Sequence, residues 1–495
     1  MFVYEEEKST MKNLVTRGNL VMLVSSVVLA AGYDVLIAQP FAAISYPVFI
    51  IALLAIVYGN TRPLLVKEQS IGWFLVFPLI ALALTRLLFT NEILCFLNSM
   101  VIPVLFVAHI LVVTKSSRHE WFHSGFLKDV FGGLIIRPLQ FVAKPFFLMW
   151  ALARQESEVA TRSVFRKVIL GLVFSLPILV VVVILLSSAD PVFEVLVRAI
   201  LSNINIVEIT KHSLMVGLIT MVVFSFIWGL NNNRVEQVSY DAGAKNLDEI
   251  IVITALSVLS AVYLLFSVIQ FSYLFGGFSD LLPSGLTYAA YARRGFFELV
   301  AVVLINTGIV VGNVTLTVTS RRRLAIILKG LNSVLLLSTF VMLLSAHYRM
   351  SLYEESYGYT YLRVFTHGFM GMVFVMLCAT IYKVWVDRIN LAKWYVMIGL
   401  IAYVLINYVN VDTFIANKNM ERFYRTGVID VDYMAGLSYD VLPCLVALTQ
   451  EPDRNIELAA RIHIANKQDQ LSVNRNWQGF NLSEQRARNI LWRIY

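Results

Sequence analysis

Long apolar runs that alternate with shorter polar segments dominate this chain. A helix that crosses the hydrocarbon core of a bilayer needs about 20 predominantly apolar residues. Runs of this kind predict about eleven transmembrane helices, and soft boundaries leave about ten or twelve open. The predicted spans are 20–38, 41–59, 71–89, 92–114, 168–187, 213–230, 250–275, 296–318, 331–347, 364–382 and 394–408. The pattern therefore predicts an all-α fold, a polytopic bundle of transmembrane helices.

The composition supports a membrane protein and excludes an ordinary soluble one. Hydrophobic residues make up 58% of the chain and charged residues 15%, whereas a soluble domain usually carries about 25% charged residues. The first span follows Lys12 and Arg17, so a cleaved signal peptide is one interpretation. The apolar stretch continues through 35–38, which favours a retained transmembrane helix.

Basic residues are concentrated in every second loop, and this alternation predicts the orientation. The basic segments are the N-terminal tail, 60–70, 115–167, 231–249, 319–330 and 383–393. Because cytosolic loops carry an excess of Lys and Arg, we expect the N-terminus in the cytosol and the C-terminus outside. The same distribution explains the net charge of +8 without a nucleic-acid partner.

The spans and loops divide the chain into four regions. These are an N-terminal transmembrane group (1–114), a basic loop (115–167), a second transmembrane group (168–409) and a small helical tail (410–495). The loop interleaves basic, aromatic and aliphatic residues, which predicts amphipathic helices on the anionic lipids of the inner leaflet; a docking site for a cytosolic partner is the alternative. The tail is too short for a large core and is expected to rest on the bundle.

A tyrosine-rich segment and a histidine motif lie between the predicted spans. Tyrosines suit the headgroup zone, so 348–363 is predicted to be an interfacial helix. His119 and His123 satisfy H-E-x-x-H, in which two His on one helical turn can share zinc; Glu156 or Glu158 could complete the set. The basic loop repels a dication, however, so anchoring by Trp121 and Phe122 is preferred. No cofactor is expected.

A cluster of charged and aromatic residues lies on the predicted outer side. Arg293 and Arg294 are adjacent there, and Glu298 follows Arg294 by four residues, which allows an ion pair on a helix. One interpretation is a pair that fixes helix packing. The other is a cationic pocket for an anionic ligand, with the following contributors: Tyr288, Tyr291, Arg293, Arg294, Glu298, Arg349, Glu354 and Arg363.

Polar residues also continue along the following span. Asn306, Asn313 and Thr317 fall near the face of Glu298 at helical spacing. Lipid satisfies none of these groups, so the stripe is expected to face the bundle interior or water.

Three stretches resemble a family of uncharacterised bacterial multi-pass membrane proteins, catalogued only as a domain of unknown function. The first is Tyr-Ala-Ala-Tyr-Ala-Arg-Arg-Gly-Phe-Phe-Glu-Leu at 288–299. The second is 349–363, and the third runs from Asn410-Val-Asp412 through Asn419 and Arg422 to 432–443. The resemblance covers about 165–450 and leaves out H-E-x-x-H. It implies a protein of the bacterial plasma membrane and assigns no catalytic residue.

The sequence leaves three classes of function open. A binding, sensory or scaffold protein of the envelope would use the outer cationic pocket and meet a ligand or protein partner outside. A transporter or lipid-translocating protein would use the polar stripe of the eighth span. A membrane-bound zinc hydrolase would use His119 and His123. The lack of a recognisable catalytic set favours the first two and a non-enzymatic role.

Overall fold

A computed structural model describes most of the chain and is helical almost throughout. The described residues are 14–38, 42–66, 70–154, 171, 175, 178–179, 181–200, 206–232, 247–275, 296–318, 321–473 and 475–494. Within these ranges extended pairing is limited to one isolated bridge, Leu247 with Thr317. The predicted all-α fold is confirmed.

The helices are numbered in chain order. The first part of the chain forms α1 (Arg17–Leu36), α2 (Ser45–Thr61), α3 (Ser70–Phe74), α4 (Val76–Leu88), α5 (Glu92–Val113), α6 (Phe126–Phe131), α7 (Arg137–Gln140), α8 (Lys144–Arg154), α9 (Pro191–Ile200) and α10 (Ile206–Asn232). The second part forms α11 (Glu249–Phe275), α12 (Phe296–Leu316), α13 (Arg322–Tyr357), α14 (Tyr361–Trp385), α15 (Leu391–Tyr408), α16 (Val411–Thr426), α17 (Val431–Ala435), α18 (Leu442–Leu448), α19 (Arg454–Ser472) and α20 (Leu482–Ile494).

Eleven segments in the described part of the chain are long and apolar enough to cross a membrane. Their surfaces fit a bilayer, because large apolar side chains point outward; Phe77 is 69% exposed and Leu265 is 66% exposed. All of these segments except Phe126–Leu152 overlap a predicted span. The predicted span 168–187 falls mostly outside the described residues.

Phe126–Leu152 is a candidate span that sequence analysis assigned to the basic loop. It contains α6, a π-helical turn (Gly132–Ile136), α7 and α8. Its charges are far enough apart to leave an apolar window between them. Arg137 is buried and its Nη2 donates to the Ser116 carbonyl at 2.6 Å, so a protein oxygen replaces solvent there. The inner-leaflet location of 115–167 stays a prediction.

The longest helix, α13, corrects one sequence prediction. It is continuous over 36 residues, which is about 54 Å at 1.5 Å per residue and exceeds the roughly 30 Å of a hydrocarbon core. A separate interfacial helix at 348–363 is therefore wrong. Tyrosines interrupt the apolar run but do not break a helix, and α13 ends only before Gly358, whose φ is 84°.

The chain divides into two compact units, and the first comprises 1–87, 97–237 and 475–481. In this unit α10 packs against α1, α2, α7 and α8. His109 of α5 is fully buried. One of its ring nitrogens pairs with the Tyr58 hydroxyl at 2.5 Å and the other with the Gly72 carbonyl at 2.7 Å.

The second unit comprises 88–96, 238–474 and 482–495. Here α13 packs against α11, α12 and α14. The tail helices α16 to α20 have a core of their own, in which Ile415, Leu442 and Leu445 are fully buried. Val364, in the first turn of α14, belongs to the same core, so the tail packs on the end of a membrane helix. The predicted four-region division stays a prediction.

Candidate functional site

A buried carboxyl group lies at the centre of the tail region in the second unit. The α16 helix begins at Val411, where the Asn410 side chain accepts from the Thr413 amide, and this start directs Asp412 inward. Asp412 is 2% exposed. It accepts from Asn91 Nδ2 at 2.8 Å and from the Tyr361 hydroxyl. One carboxyl group therefore joins three distant parts of the sequence.

The turn between α13 and α14 is held by two side chains of α16. Asn419 accepts from the Tyr359 amide at 2.7 Å and donates to the Tyr359 carbonyl at 2.9 Å. Arg422 donates to the carbonyls of Glu355 at 2.9 Å and Ser356 at 2.8 Å. These bonds satisfy backbone groups that the helix end leaves without a partner. The side chains of α16 therefore contact mainly the backbone of the turn.

A cavity of about 430 Å³ is lined in part by Tyr361 and Ser438, which both hydrogen-bond to Asp412. The residues that line it are Thr90, Glu92, Ile93, Tyr361, Ala435, Gly436, Leu437, Ser438, Tyr439, Lys467 and Gln470. Lys467 is 8% exposed. Its ammonium donates to the Leu437 carbonyl at 2.9 Å and lies 5.3 Å from the centre of the Tyr439 ring. A buried amine in a polar cavity is the strongest chemical feature of the tail.

Burial shifts the proton affinity of two groups near the cavity. Desolvation lowers the pKa of Lys467, although the nearby Asp412 and Glu92 oppose this shift. Desolvation raises the pKa of Asp440, against hydrogen bonds from Ser483 and Asn410. Both shifts weaken the charged form of the group, so Lys467 and Asp440 are less readily charged than they would be in water.

Two histidines and a buried glutamate form a second polar cluster where α13 and α14 meet. His367 Nδ1 and His347 Nδ1 are 2.8 Å apart, and His367 Nε2 lies 2.9 Å from Glu354 Oε2. Glu354 is 3% exposed, whereas His347 is exposed. The cluster links a surface group to a buried carboxyl group.

The predicted cationic pocket is described only in part. Tyr288, Tyr291, Arg293 and Arg294 lie outside the described residues. Glu298 is exposed on α12.

The other predicted contributors make contacts inside the second unit. Arg349 Nη2 donates to Gln270 Oε1 at 3.3 Å. Arg363 lies 4.3 Å from the centre of the Tyr353 ring and donates to the Gly358 carbonyl. Glu354 bonds to His367. These side chains belong to the helix ends and not to the cavity beside Lys467.

The predicted polar stripe is buried and bonds to a neighbouring helix. Asn306 Nδ2 donates to Thr339 Oγ1 at 3.1 Å, and Asn313 Nδ2 donates to Asn332 Oδ1 at 3.4 Å. Thr317 is also buried. Side-chain amides that bond across membrane helices stabilise packing, so this geometry is that of a helix–helix seam.

The H-E-x-x-H segment is not helical. Residues 119–123 form bends and turns, so His119 and His123 do not lie on one helical turn, although their rings stack with centroids 5.8 Å apart. His119 Nδ1 pairs with Asp129 Oδ2 at 2.9 Å, and His123 Nδ1 accepts from the Gly125 amide. Glu156 and Glu158 lie outside the described residues. Among the residues that are described, no three His, Cys, Asp or Glu side chains are grouped so as to hold a metal.

Lys467 was not among the predicted site residues, although the sequence contains a signal for it. Lys467 shares the buried face of α19 with Ala460, Ile464 and Leu471, at spacings typical of one helical stripe. A lysine in an otherwise apolar stripe is rarely buried without a function or a partner. The contribution of Asn91 had no such signal, because 321 positions separate it from Asp412.

Spans, exposed apolar surfaces and buried polar sites together define an integral multi-pass membrane protein made of helices. The chain belongs to the family described as Domain of unknown function (DUF4153), whose match covers residues 76–448. No curated protein and no solved structure matches the chain.

The extent of the family match differs from the resemblance inferred from motifs. The match begins at residue 76 and not near 165, so it includes 119–123. It ends at residue 448, so Asp412 and the turn that follows α17 lie inside it and Lys467 lies beyond it.

Proposed function

We propose that this protein is a binding or sensory protein of the membrane, with its ligand site in the cavity beside Lys467. The observation that carries this proposal is a buried amine on the wall of a polar cavity of about 430 Å³, a size typical of small-molecule sites. The ligand is a small polar molecule with an anionic group that pairs with the Lys467 ammonium. This assigns the anionic ligand to the tail and not to Arg293 and Arg294.

The cavity chemistry narrows the ligand class. Glu92 and Gln470 line the same space as Lys467, so the ligand also offers hydrogen-bond donors or a cationic group. Amino acids and similar zwitterions carry both. Tyr361 and Tyr439 add ring faces for a short apolar portion.

The frame around the cavity is suited to binding with little rearrangement. Asp412 is engaged by Asn91 and Tyr361, and the Lys467 amine already has a carbonyl partner. Such preformed contacts reduce the ordering that a ligand must bring about. Tyr361 is also the first residue of α14, so ligand contact with its ring reaches a membrane helix directly. With the predicted orientation, this site faces the outside of a bacterial plasma membrane.

A thermal-shift experiment tests this function on the detergent-solubilised protein. The probes are glutamate, alanine, citrate, glycerol phosphate and neutral glucose at millimolar concentration. At least one probe with an anionic group raises Tm, since a ligand at 100 times its Kd stabilises by about 2.7 kcal/mol. The shift disappears in Lys467→Met and persists in Arg461→Gln, which changes an exposed cation on the same helix.

Two results contradict the proposal. One is an equal shift in wild type and Lys467→Met. The other is a wild-type protein that responds to none of the anionic probes.

The transport alternative has less support. The stripe residues Asn306 and Asn313 bond to side chains of α13, which accounts for them as packing groups. The zinc hydrolase alternative lacks a helical H-E-x-x-H segment. Both stay predictions, and a flux assay on Asn306→Leu tests the first of them.

A further inference from the structure

The first unit contains a larger cavity of different character. Its volume is about 500 Å³, and its walls come from α1, α2, α4, α5, α7, α10 and the π-helical turn. Most of the lining is apolar, including Phe49, Leu53, Val57, Ile102, Phe106 and Phe226. Such a wall favours hydrocarbon over a polar solute.

One end of this cavity is polar and carries a positive charge. Arg86 is the only charged side chain among the described lining residues. It lies in the last turn of α4, with its guanidinium 4.5 Å from the centre of the Tyr46 ring. Tyr33 lines the same end. These three residues occupy helix termini, where tyrosine and arginine meet the headgroup zone.

The length of the cavity matches one leaflet of a bilayer. Its lining along α2 runs from Tyr46 to Val57, which is about 16 Å at 1.5 Å per residue. Half of a typical hydrocarbon core is about 15 Å. The polar end lies at the helix termini and the apolar part extends toward the middle of the helices. This is the polarity profile of a lipid in one leaflet.

We propose that this cavity binds one acyl chain of an anionic lipid, whose phosphate or carboxylate is held by Arg86. A guanidinium forms two parallel hydrogen bonds to either group. The aromatic ring of Tyr46 fixes the guanidinium, and Phe49, Leu53 and Phe106 enclose the chain. This site is separate from the tail cavity, and neither proposal depends on the other.

Native mass spectrometry of the delipidated full-length protein tests the proposal with four probes. Phosphatidylglycerol supplies chains and phosphate, diacylglycerol only chains, glycerol phosphate only the head, and oleate a chain with a carboxylate. Wild type retains phosphatidylglycerol or oleate at one per chain, and the tighter of the two identifies the source of the anion. Diacylglycerol binds about tenfold more weakly, which corresponds to loss of one charge-assisted contact.

Matched variants distinguish the effect of the Arg86 charge on lipid binding from effects on folding. Arg86→Gln lowers anionic-lipid binding about tenfold to the level of diacylglycerol, and Arg86→Lys restores part of it. Arg62→Gln changes an exposed arginine at the other end of α2 and leaves binding unchanged. Val223→Phe, which fills the cavity, weakens every probe that has a chain.

Equal binding of phosphatidylglycerol and diacylglycerol to wild type overturns the role of Arg86. Displacement of the lipid by glycerol phosphate alone overturns the acyl-chain site. Both comparisons use wild type only, so they decide the matter even if a variant fails to fold.

Discussion

The two cavities are similar in volume but opposite in chemistry. The cavity of the first unit, about 500 Å³, is enclosed by membrane helices and has one charged residue in its described lining. The cavity of the second unit, about 430 Å³, is lined largely by short turns and helix ends and carries Lys467 and Glu92. An apolar space among helices is filled well by hydrocarbon, whereas a polar space needs water or a polar ligand. The chemistry of the walls, more than cavity volume, therefore determines which class of molecule each cavity suits.

The walls also differ in how they are stabilised. Side-chain hydrogen bonds between distant segments hold the tail cavity, and Asp412 is their centre. Packing of aromatic and aliphatic side chains forms the other cavity. Loss of one polar group should therefore be costly in the tail and much less costly within the membrane helices.

The largest effect is expected from a variant that removes the buried hydrogen bonds to Asp412. Asp412→Ala removes the acceptor of Asn91 and Tyr361, and buried donors without an acceptor cost about 3 kcal/mol together. We expect a lower Tm and faster hydrogen exchange at 431–441. Asp432→Ala is the control, since the Asp432 side chain is 87% exposed and a surface pair is worth less than about 1 kcal/mol. Equal losses of stability in the two variants would show that the buried hydrogen bonds to Asp412 contribute no more than a surface ion pair.

A second variant tests how the tail recognises the turn. Gly358 has φ 84° and ψ 173°, a region that other residues rarely adopt, and a Cβ there would lie 2.9 Å from Asn419 Oδ1. Gly358→Ala should cost about 2–3 kcal/mol. Gly427→Ala, with φ 71° and open space around a Cβ, should cost only about 1 kcal/mol. Similar costs, measured by thermal unfolding, would show that the Asn419 contact is unimportant.

The pH dependence of stability tests whether the Lys467 amine in the tail cavity is buried. Its pKa in the folded protein is lowered from 10.5, so the folded state binds fewer protons than the unfolded state as pH approaches 10.5. Wild-type stability should rise over that interval. Lys467→Met should lack this rise in Tm.

Lys418→Met is the control for Lys467. Contact with Glu421 raises the pKa of Lys418, which gives the opposite sign, because that stabilisation is lost as pH rises. A Lys467→Met profile that parallels wild type would contradict the assignment of a buried ammonium.

The smallest expected effect lies in the membrane helices. Asn306→Leu removes the bond to Thr339, and such bonds between membrane helices average about 0.6 kcal/mol. Thr315→Val, which loses only bonds to its own helix, is the control. A loss of several kcal/mol in stability would show that a polar group between these membrane helices matters as much as one in the tail. A fall in solute flux with normal stability would support the transport alternative.

Sequence patterns predict the membrane helices well because an apolar run is a local property. Most spans overlap their predictions, whereas Phe126–Leu152 was missed since Lys128, Arg137 and Lys144 suggested a loop. The length of α13 was missed for a related reason: Tyr353 and Tyr357 lower local hydropathy without changing helix propensity much.

The site was harder to predict because its partners are remote in sequence. Motif resemblance drew attention to Asp412, Asn419 and Arg422, but periodicity carries no information on the pairing with Asn91. Arg349 and Arg363 were selected by their charge. Their contacts with Gln270 and Tyr353 depend on how three helices pack, which one sequence does not specify.

The bond between Asp412 and Asn91 has a consequence for biosynthesis. Asn91 emerges from the ribosome early, but its acceptor follows 321 residues later, after α11 to α15 have been made. Until Asp412 has been made, the Asn91 side-chain amide lacks this acceptor and the wall of the tail cavity is incomplete. Completion of this region is therefore a late event in translation, so a stalled or truncated chain would present unsealed polar surface to the quality-control proteases of the membrane.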